Sequence, residues 1–206
     1  MIKTLILVGG KEKFHDVLSA AQVIQKILIE NNILARYSQD FSILSEKRID
    51  EFDAVIFYTQ GKDLTIAEQE GLKNYIKQGN IFIPLHAANI FDESQHEIYK
   101  KIIGSKFINH DPFKRFQVNI VKDHFITENI DNFEVDDELY ESKLFYEPDN
   151  ILAWAKNNGE KHPMLYTKKI GKGEICYFAL GHDGRAWYNP SFKRLLCRIV
   201  NWSKQL

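Results

Sequence analysis

The stretch from Ala54 to Leu85, AVIFYTQGKDLTIAEQEGLKNYIKQGNIFIPL, decides the fold class. Ala54–Tyr58 and Ile81–Leu85 are nearly continuous apolar runs, a pattern typical of strands that helices cover on both faces. Between them, Thr65 and Glu68 have the spacing of a capping box, which predicts the start of a helix, and Gly79 predicts its end. Strand, helix and strand in this order predict a parallel α/β unit.

The same alternation continues towards both ends of the chain. Thr4–Val8 and Ile175–Leu180 are two further apolar runs of strand length. Apolar residues at helical spacing between residues 17 and 28 predict a helix after the first strand. Asn189-Pro190 predicts the cap and the first residue of a final helix. We therefore expect a mostly parallel sheet with helices on both faces.

The 114–168 region has a different pattern. Phe116, Val118 and Ile120 alternate with polar residues, which predicts strands with one solvent-facing side. These extra strands are expected to be inserted in the main sheet or to flank it. Neither a linker nor a repeat interrupts the sequence, so we predict a single domain over residues 1–206.

The composition argues against a nucleic-acid-binding protein and against a membrane-spanning protein. The 206 residues carry 27 Lys+Arg and 28 Asp+Glu, a formal net charge of −1 with neutral histidine. Because this balance gives no basic field, a nucleic acid is not an expected partner. No apolar stretch reaches about 18 residues, so no membrane span is expected. Cys176 and Cys197 lie in predicted regular structure, where buried, inert thiols are favoured, and they are too few for a disulfide framework, which favours the cytoplasm.

Polar residues follow the predicted strands at their carboxyl ends, where open α/β sheets form their ligand crevice. His15 follows the first strand, His86 follows Ile81–Leu85, and His182 follows the last strand. Imidazole serves as base, acid or metal ligand near neutral pH, so we name these three histidines as candidate catalytic residues. Gln60 follows another strand and either donates to a substrate oxygen or belongs to the turn before Gly61.

Two further groups are candidates for substrate binding. The middle region supplies His110, Glu138 and Tyr140, which either cover the crevice or belong to ordinary loops and edge strands. The last loop supplies Asp183, Arg185 and Trp187. Asp183 either orients His182 or caps a turn, and Arg185 with Trp187 suits a sugar. The alternative for Trp187 is that it anchors the final helix.

The stretch Pro84-Leu85-His86-Ala87-Ala88 occupies the place where α/β hydrolases and amidotransferases carry a nucleophile elbow. Its tip contains no Ser or Cys. Covalent catalysis from this turn is therefore not expected, and Ala87 argues against an active glutamine amidotransferase or peptidase.

An ordered set of motifs resembles the ThuA-like (trehalose-utilisation) family, within the class I glutamine amidotransferase-like superfamily. The resemblance spans nearly the whole chain and is carried by Gly9-Gly10 with His15-Asp16, Pro84-Leu85-His86-Ala87-Ala88, Phe107-x-x-His110-x-Pro112-Phe113, His124-x-Ile126-Thr127, Asp137-Glu138-Leu139-Tyr140, Gly171-Lys172-Gly173 and Leu180-Gly181-His182-Asp183.

The resemblance implies a flavodoxin-like sheet that has lost the amidotransferase triad. It also implies a role in carbohydrate catabolism, with 3-keto-sugars or 3-keto-glycosides as substrates. A ketone acidifies the neighbouring C–H, so a base removes that proton while a donor or a metal stabilises the enediolate oxygen. We expect His86 or His182 to be the base, with His15 and Gln60 near the developing oxyanion.

The cofactor and the biological role stay open at the level of sequence. A divalent metal is a candidate cofactor, because imidazoles and a carboxylate are suitable zinc or manganese ligands, although neither HxH nor HExxH spacing is present. The alternative to an enzyme is a non-catalytic sugar or metabolite sensor on the same scaffold. The two differ in whether the three histidines converge on one reacting atom. The expected partner is a small carbohydrate, and a homo-oligomer is compatible with the sequence.

Overall fold

The computed structural model describes residues 1–11, 15–121 and 123–205. Residues 12–14, 122 and 206 fall outside the described part. The described elements, in chain order, are β1 (Lys3–Gly10), α1 (Val17–Glu30), β2 (Leu34–Ser38), β3 (Ala54–Gln60), α2 (Ile66–Lys77), β4 (Ile81–Leu85), α3 (Glu97–Ile103), β5 (Ser105–His110), β6 (Lys114–Ile120), β7 (Phe133–Asp137), β8 (Tyr140–Leu144), β9 (Asn150–Asn157), β10 (Glu160–Ile170), β11 (Gly173–Phe178), α4 (Gly184–Trp187) and α5 (Pro190–Trp202).

One large sheet organises the molecule, with the strand order β2-β1-β3-β4-β11-β10-β9-β6-β7. The strands from β2 to β11 in this order pair in parallel, and the remaining pairs are antiparallel. With β11 as its fifth member, the parallel half has the 2-1-3-4-5 order of flavodoxin-like sheets. The α/β, flavodoxin-like fold class is confirmed.

The strands predicted in the 114–168 region are present, and most of them extend the main sheet. In β6, Phe116 and Val118 are buried whereas Arg115 and Gln117 are exposed, as the alternation predicts. β5 and β8 form a separate two-stranded antiparallel pair beside the main sheet. The large sheet is therefore parallel on one side of β11 and antiparallel on the other.

β2 lacks the continuous apolar run that identifies the other parallel strands in the sequence. This edge strand buries only Ala35 among its five residues, so it has no continuous apolar run. An edge strand with one exposed side needs little hydrophobic sequence, because its backbone pairs with β1 alone. The apolar pattern that identifies buried strands therefore does not detect it.

The helix ends follow the capping residues. The Thr65 hydroxyl accepts a hydrogen bond from the Glu68 N–H at 3.2 Å, and the Glu68 carboxylate accepts one from the Thr65 N–H at 2.7 Å. The predicted capping box of α2 is thus confirmed. At α5, Asn189 accepts from the N–H groups of Ser191 and Phe192, with Pro190 in the first turn. Both caps satisfy N–H groups that the helix leaves unpaired.

The hydrophobic core lies around the centre of the sheet. Every residue of β4 and β11 is buried, so both faces are covered there. Cys176 and Cys197 are buried free thiols, as expected for inert cysteines, and burial raises the pKa of Cys197 to about 11. Among the described residues, no helix combines the length and apolar character needed to cross a lipid bilayer.

Gly71 allows α2 to approach the neighbouring 3₁₀ turn Phe41–Ser45. A Cβ at Gly71 would lie 1.9 Å from the carbonyl oxygen of Leu44. We expect Gly71→Ala to lower the free energy of unfolding by about 2–3 kcal/mol, because this clash outweighs the gain in helix propensity. Urea unfolding followed by circular dichroism measures the change.

The matched control for Gly71→Ala is Asn74→Ala, at an exposed position of the same helix. It should change the free energy of unfolding by no more than about 0.5 kcal/mol. Equal stability of the Gly71→Ala variant and the wild type would contradict the close packing of α2 on the turn.

Candidate active site

Three histidine side chains meet at the carboxyl ends of the parallel strands. His15 lies in the loop after β1, His86 directly follows β4, and His182 follows β11. The His15 ring centroid lies 5.0 Å from that of His86 and 4.9 Å from that of His182, and the latter two are 5.5 Å apart. The strand order reverses between β1 and β3, and crevices of doubly wound sheets form at such a point. The topology thus gathers residues that are distant in sequence.

Glu138 reaches the same cluster from the antiparallel half of the sheet. It lies between β7 and β8, and its Oε2 is 3.1 Å from His182 Nδ1 and 3.5 Å from His86 Nε2. Its Oε1 is 3.7 Å from His110 Nε2. One carboxylate therefore faces three imidazoles.

Hydrogen bonds determine which nitrogen carries the proton in two of these rings. His15 Nδ1 lies 2.9 Å from Gln60 Oε1, and His86 Nδ1 lies 2.8 Å from the carbonyl oxygen of Ala179. A carbonyl oxygen only accepts, so each Nδ1 donates and each neutral ring keeps a lone pair on Nε2. His15 Nε2 is 3.2 Å from His182 Nδ1. Both lone pairs therefore face the cluster.

His86 is held in an uncommon backbone conformation. Its φ is +46°, in the left-handed region, where the turn from β4 enters a short 3₁₀ helix. The hydroxyl of Tyr177 donates to the His86 carbonyl oxygen at 3.0 Å. Non-glycine residues in this region store about 1–3 kcal/mol of strain, which often accompanies a functional site. The strained turn points the ring under the cluster.

The pKa shifts follow from burial and from the Glu138 charge. Burial and the neighbouring His86 lower the pKa of His15 to about 4, which keeps this ring neutral at pH 7. Burial alone would raise the pKa of Glu138, but the nearby His182 and His86 side chains outweigh it and hold the pKa well below its ordinary value. For His182, burial lowers the pKa, whereas Glu138 raises it by a larger amount. Glu138 is therefore ionised at neutral pH.

Asp137 is a positioning residue that the sequence analysis did not separate from its neighbours. Its side chain is fully buried and accepts hydrogen bonds from the N–H groups of Gly181 at 2.7 Å, His182 at 3.1 Å and Glu138 at 2.8 Å. Burial raises the pKa of Asp137. One carboxylate thus connects the loop that carries His182 to the segment that carries Glu138. The sequence signal for this role is the pair of consecutive acidic residues, Asp137 and Glu138, at the end of a predicted strand.

A cavity of about 530 Å³ opens above the cluster. This volume lies within the usual range for small-molecule sites and accommodates a sugar ring. Its lining combines polar groups with apolar and aromatic walls, namely His15, Gln60, Ile90, Phe107, His110, Glu138, Tyr140 and His182. His86 is fully buried below this floor and does not line the cavity. The structure thus places His86 out of reach of a substrate, contrary to its expected role as a base.

Three predicted substrate-binding residues lie outside the cavity. Asp183 caps α4 by accepting from the Arg185 N–H at 2.9 Å, so it caps a turn and does not orient His182. The Arg185 guanidinium pairs with Asp183 and stacks on Phe113, 3.4 Å from the ring centroid. Trp187 is only 6% exposed and donates from Nε1 to the Gly181 carbonyl oxygen at 2.7 Å. Neither face of its indole is available to a sugar.

A family model described as ThuA, trehalose utilisation, matches residues 3–203. The chain belongs to the ThuA family. Membership of a ThuA family described by trehalose utilisation suggests a role in carbohydrate metabolism. No curated protein matches the sequence.

Solved structures show the same fold at low sequence identity. A ThuA-like protein from Parabacteroides merdae ATCC 43184 is 18% identical with a TM-score of 0.86, covering 98% of this chain and 89% of that one. A cytoplasmic protein from Salmonella typhimurium LT2 is 14% identical with a TM-score of 0.70, covering 97% and 98%. A β-galactosidase from Bacillus circulans sp. alkalophilus is 14% identical with a TM-score of 0.71, covering 98% of this chain but 31% of the enzyme. The ThuA fold therefore also occurs as part of a larger protein.

Proposed function

We propose that the protein is an enzyme of carbohydrate metabolism that removes a proton next to the ketone of an oxidised (3-keto) sugar or glycoside, without a covalent nucleophile. The observation that carries the proposal is the convergence of His15, His110, Glu138 and His182 on one cavity of sugar size. Family membership supports a carbohydrate as the substrate. The absence of Ser and Cys from the turn at His86 and Ala87 supports acid–base chemistry.

The base in this proposal is His110. Its Nδ1 lies 2.7 Å from the carbonyl oxygen of Asp111 and must donate to it, so the neutral ring keeps its lone pair on Nε2. Its side chain is 35% exposed and lines the cavity, which gives a substrate access to the ring. His182 also lines the cavity, but its side chain is only 18% exposed, about half the value for His110.

The ketone oxygen binds at the polar floor formed by His15, His182 and Gln60, and the sugar ring lies beside the Phe107 wall of the cavity. His110 Nε2 takes the proton from the carbon next to the ketone, the C–H electron pair forms a C=C bond, and the C=O π pair moves onto the ketone oxygen to give an enediolate. The amide N–H₂ of Gln60 and a ring N–H of His182 donate to that oxygen and stabilise its negative charge. Return of a solvent-derived proton from His110 regenerates the ketone, while loss of a substituent from the next carbon gives elimination.

Exchange of substrate C–H with solvent deuterium tests the proposal, because exchange reports proton removal whatever the final product is. We expect the protein to catalyse loss of the proton signal next to the ketone of a 3-keto-disaccharide in D₂O, followed by NMR. His110→Gln should slow the exchange by about 100-fold or more, since it removes the base.

His162→Gln is the matched control, because His162 lies near Glu141 and does not line the cavity. It should exchange at the wild-type rate. If the protein bound the keto-sugar without catalysing exchange, the result would contradict an enzyme and support the alternative, a non-catalytic sugar-binding protein. Equal exchange by His110→Gln and the wild type would remove His110 as the base.

A cytoplasmic location is part of the same proposal. The buried, free cysteines suit a reducing compartment. The structurally similar Salmonella protein is described as cytoplasmic.

A further inference from the structure

We infer that His15, His86, Glu138 and His182 form a binding site for one divalent transition-metal ion of the Zn²⁺ type. The inference deepens the proposed function and rests on it for the reaction that the ion serves. The four residues come from both halves of the sheet, and their ligand atoms all lie within 4.8 Å of one another.

The spacing of the ligand atoms matches a metal coordination shell. Zn–N and Zn–O bonds of about 2.0–2.1 Å place neighbouring ligand atoms of a tetrahedron roughly 3.3–3.4 Å apart. Here His182 Nδ1 lies 3.1 Å from Glu138 Oε2 and 3.2 Å from His15 Nε2, and His86 Nε2 lies 3.5 Å from Glu138 Oε2. Three edges of the shell therefore already have the required length.

The partners outside the cluster orient two of the rings as ligands. Metal-binding histidines typically donate their second N–H to a carbonyl or carboxylate, which fixes the tautomer. His15 donates in this way to Gln60, and His86 donates to the Ala179 carbonyl oxygen. Each ring therefore directs the Nε2 lone pair at the centre of the cluster.

The unpaired His86 Nε2 is a second observation that indicates a bound ion, independent of the clustering of the histidines. This atom is buried and has no hydrogen-bond partner in the described structure. Its lone pair faces a carboxylate oxygen of Glu138 at 3.5 Å, and two acceptors that face each other are unfavourable unless a positive centre lies between them. A metal ion at the centre of the cluster would satisfy both atoms.

The donor set selects the class of ion. Three imidazoles and one carboxylate suit Zn²⁺, Co²⁺, Fe²⁺ or Mn²⁺, whereas Mg²⁺ and Ca²⁺ prefer an all-oxygen shell. His15, Glu138 and His182 also line the cavity, so an ion among them would be open to a substrate oxygen. Such an ion would provide the positive charge that the enediolate oxygen requires at this floor.

The test is calorimetric titration of ZnCl₂ into protein that carries no polyhistidine tag and has been dialysed against a chelator. We expect one Zn²⁺ per chain. His86→Ala and Glu138→Gln should each weaken binding by more than about 100-fold, and Gln60→Ala, which removes only the orienting partner of His15, by about 10-fold. Substitution with Co²⁺ should give the visible absorption of a four- or five-coordinate site, and Glu138→Gln should remove it.

His162→Ala is the control and should bind Zn²⁺ like the wild type. Circular dichroism verifies that each variant is folded, and Gln60→Ala, which keeps all four ligands, provides a measurement if His86→Ala does not fold. Absence of stoichiometric Zn²⁺ binding, or wild-type affinity in both Gln60→Ala and Glu138→Gln, would overturn the inference.

The deuterium-exchange assay separates this inference from the proposed function. If Zn²⁺ binds but no exchange occurs with or without it, the metal site stands and the proposed reaction fails. If exchange occurs at full rate in protein that binds no Zn²⁺, the reaction stands and the metal site fails.

Discussion

Asp137→Ala is expected to lower the free energy of unfolding by about 3–5 kcal/mol, because it leaves the N–H groups of Gly181, His182 and Glu138 without their acceptor in a buried place. Asp137→Asn keeps one acceptor oxygen and should lose less. Urea unfolding followed by far-ultraviolet circular dichroism measures both changes. Both variants should also lose catalytic exchange, since Asp137 positions the two segments that carry His182 and Glu138.

The adjacent Asp136 provides the control for Asp137. Its carboxylate pairs with Arg115 at the surface, at 2.7 Å, and exposed pairs contribute little to stability. Asp136→Ala should change the free energy of unfolding by less than about 1 kcal/mol. If the two alanine variants were equally stable, Asp137 would not hold the loop as described.

Glu138→Gln is expected to reduce catalytic exchange by roughly 100- to 1000-fold while leaving the metal-free protein folded. The substitution removes the charge that pairs with His182 and with the proposed ion. At the same time, an amide N–H₂ can donate to His86 Nε2, which has no hydrogen-bond partner in the described structure. Because the depressed pKa of Glu138 shows that its charge stabilises the native state, thermal unfolding of the chelator-treated protein should show a lower stability than the wild type, partly offset by this new amide donor.

Glu141→Gln is the matched control for this variant. Glu141 accepts a hydrogen bond from Asn157 at 2.8 Å and does not line the cavity. It should keep the wild-type exchange rate. A Glu138→Gln variant with normal exchange would contradict a catalytic role for the cluster, and a variant as stable as the wild type would contradict the stabilising contact between Glu138 and His182.

The parallel half of the fold is predictable from sequence because its signals are local. Ile81–Leu85 has the continuous apolar pattern of a strand buried on both faces, and Thr65 with Glu68 forms the cap that the spacing indicates. β2 is not predictable in the same way, since its pairing with β1 requires only backbone groups. The position of the antiparallel strands in the same sheet depends on long-range pairing, such as that of β9 with β6.

The candidate site likewise has residues that local sequence signals predict and residues whose placement depends on long-range structure. His15, His86 and His182 follow strands, so topology alone suggests that they meet. His86 is buried below the cavity and has a left-handed φ, and neither property follows from its position after a strand. Glu138 and Asp137 are separated only by their orientation at the end of β7, because neighbouring side chains there point to different surroundings. Trp187 is a predicted sugar-binding residue that proves to be buried in the core. Its position beside the crevice in sequence does not distinguish these two roles.

The direct contact between His15 and His182 joins residues that are 167 positions apart in the chain. Contacts of such high sequence separation are entropically costly to close, so we expect this junction to assemble late in folding. A molecule that binds there contacts the loops after both β1 and β11. By mass action it stabilises only chains in which these two strands have already joined the sheet. Occupancy of the junction would therefore raise the free energy of unfolding, in addition to any part that it plays in the reaction.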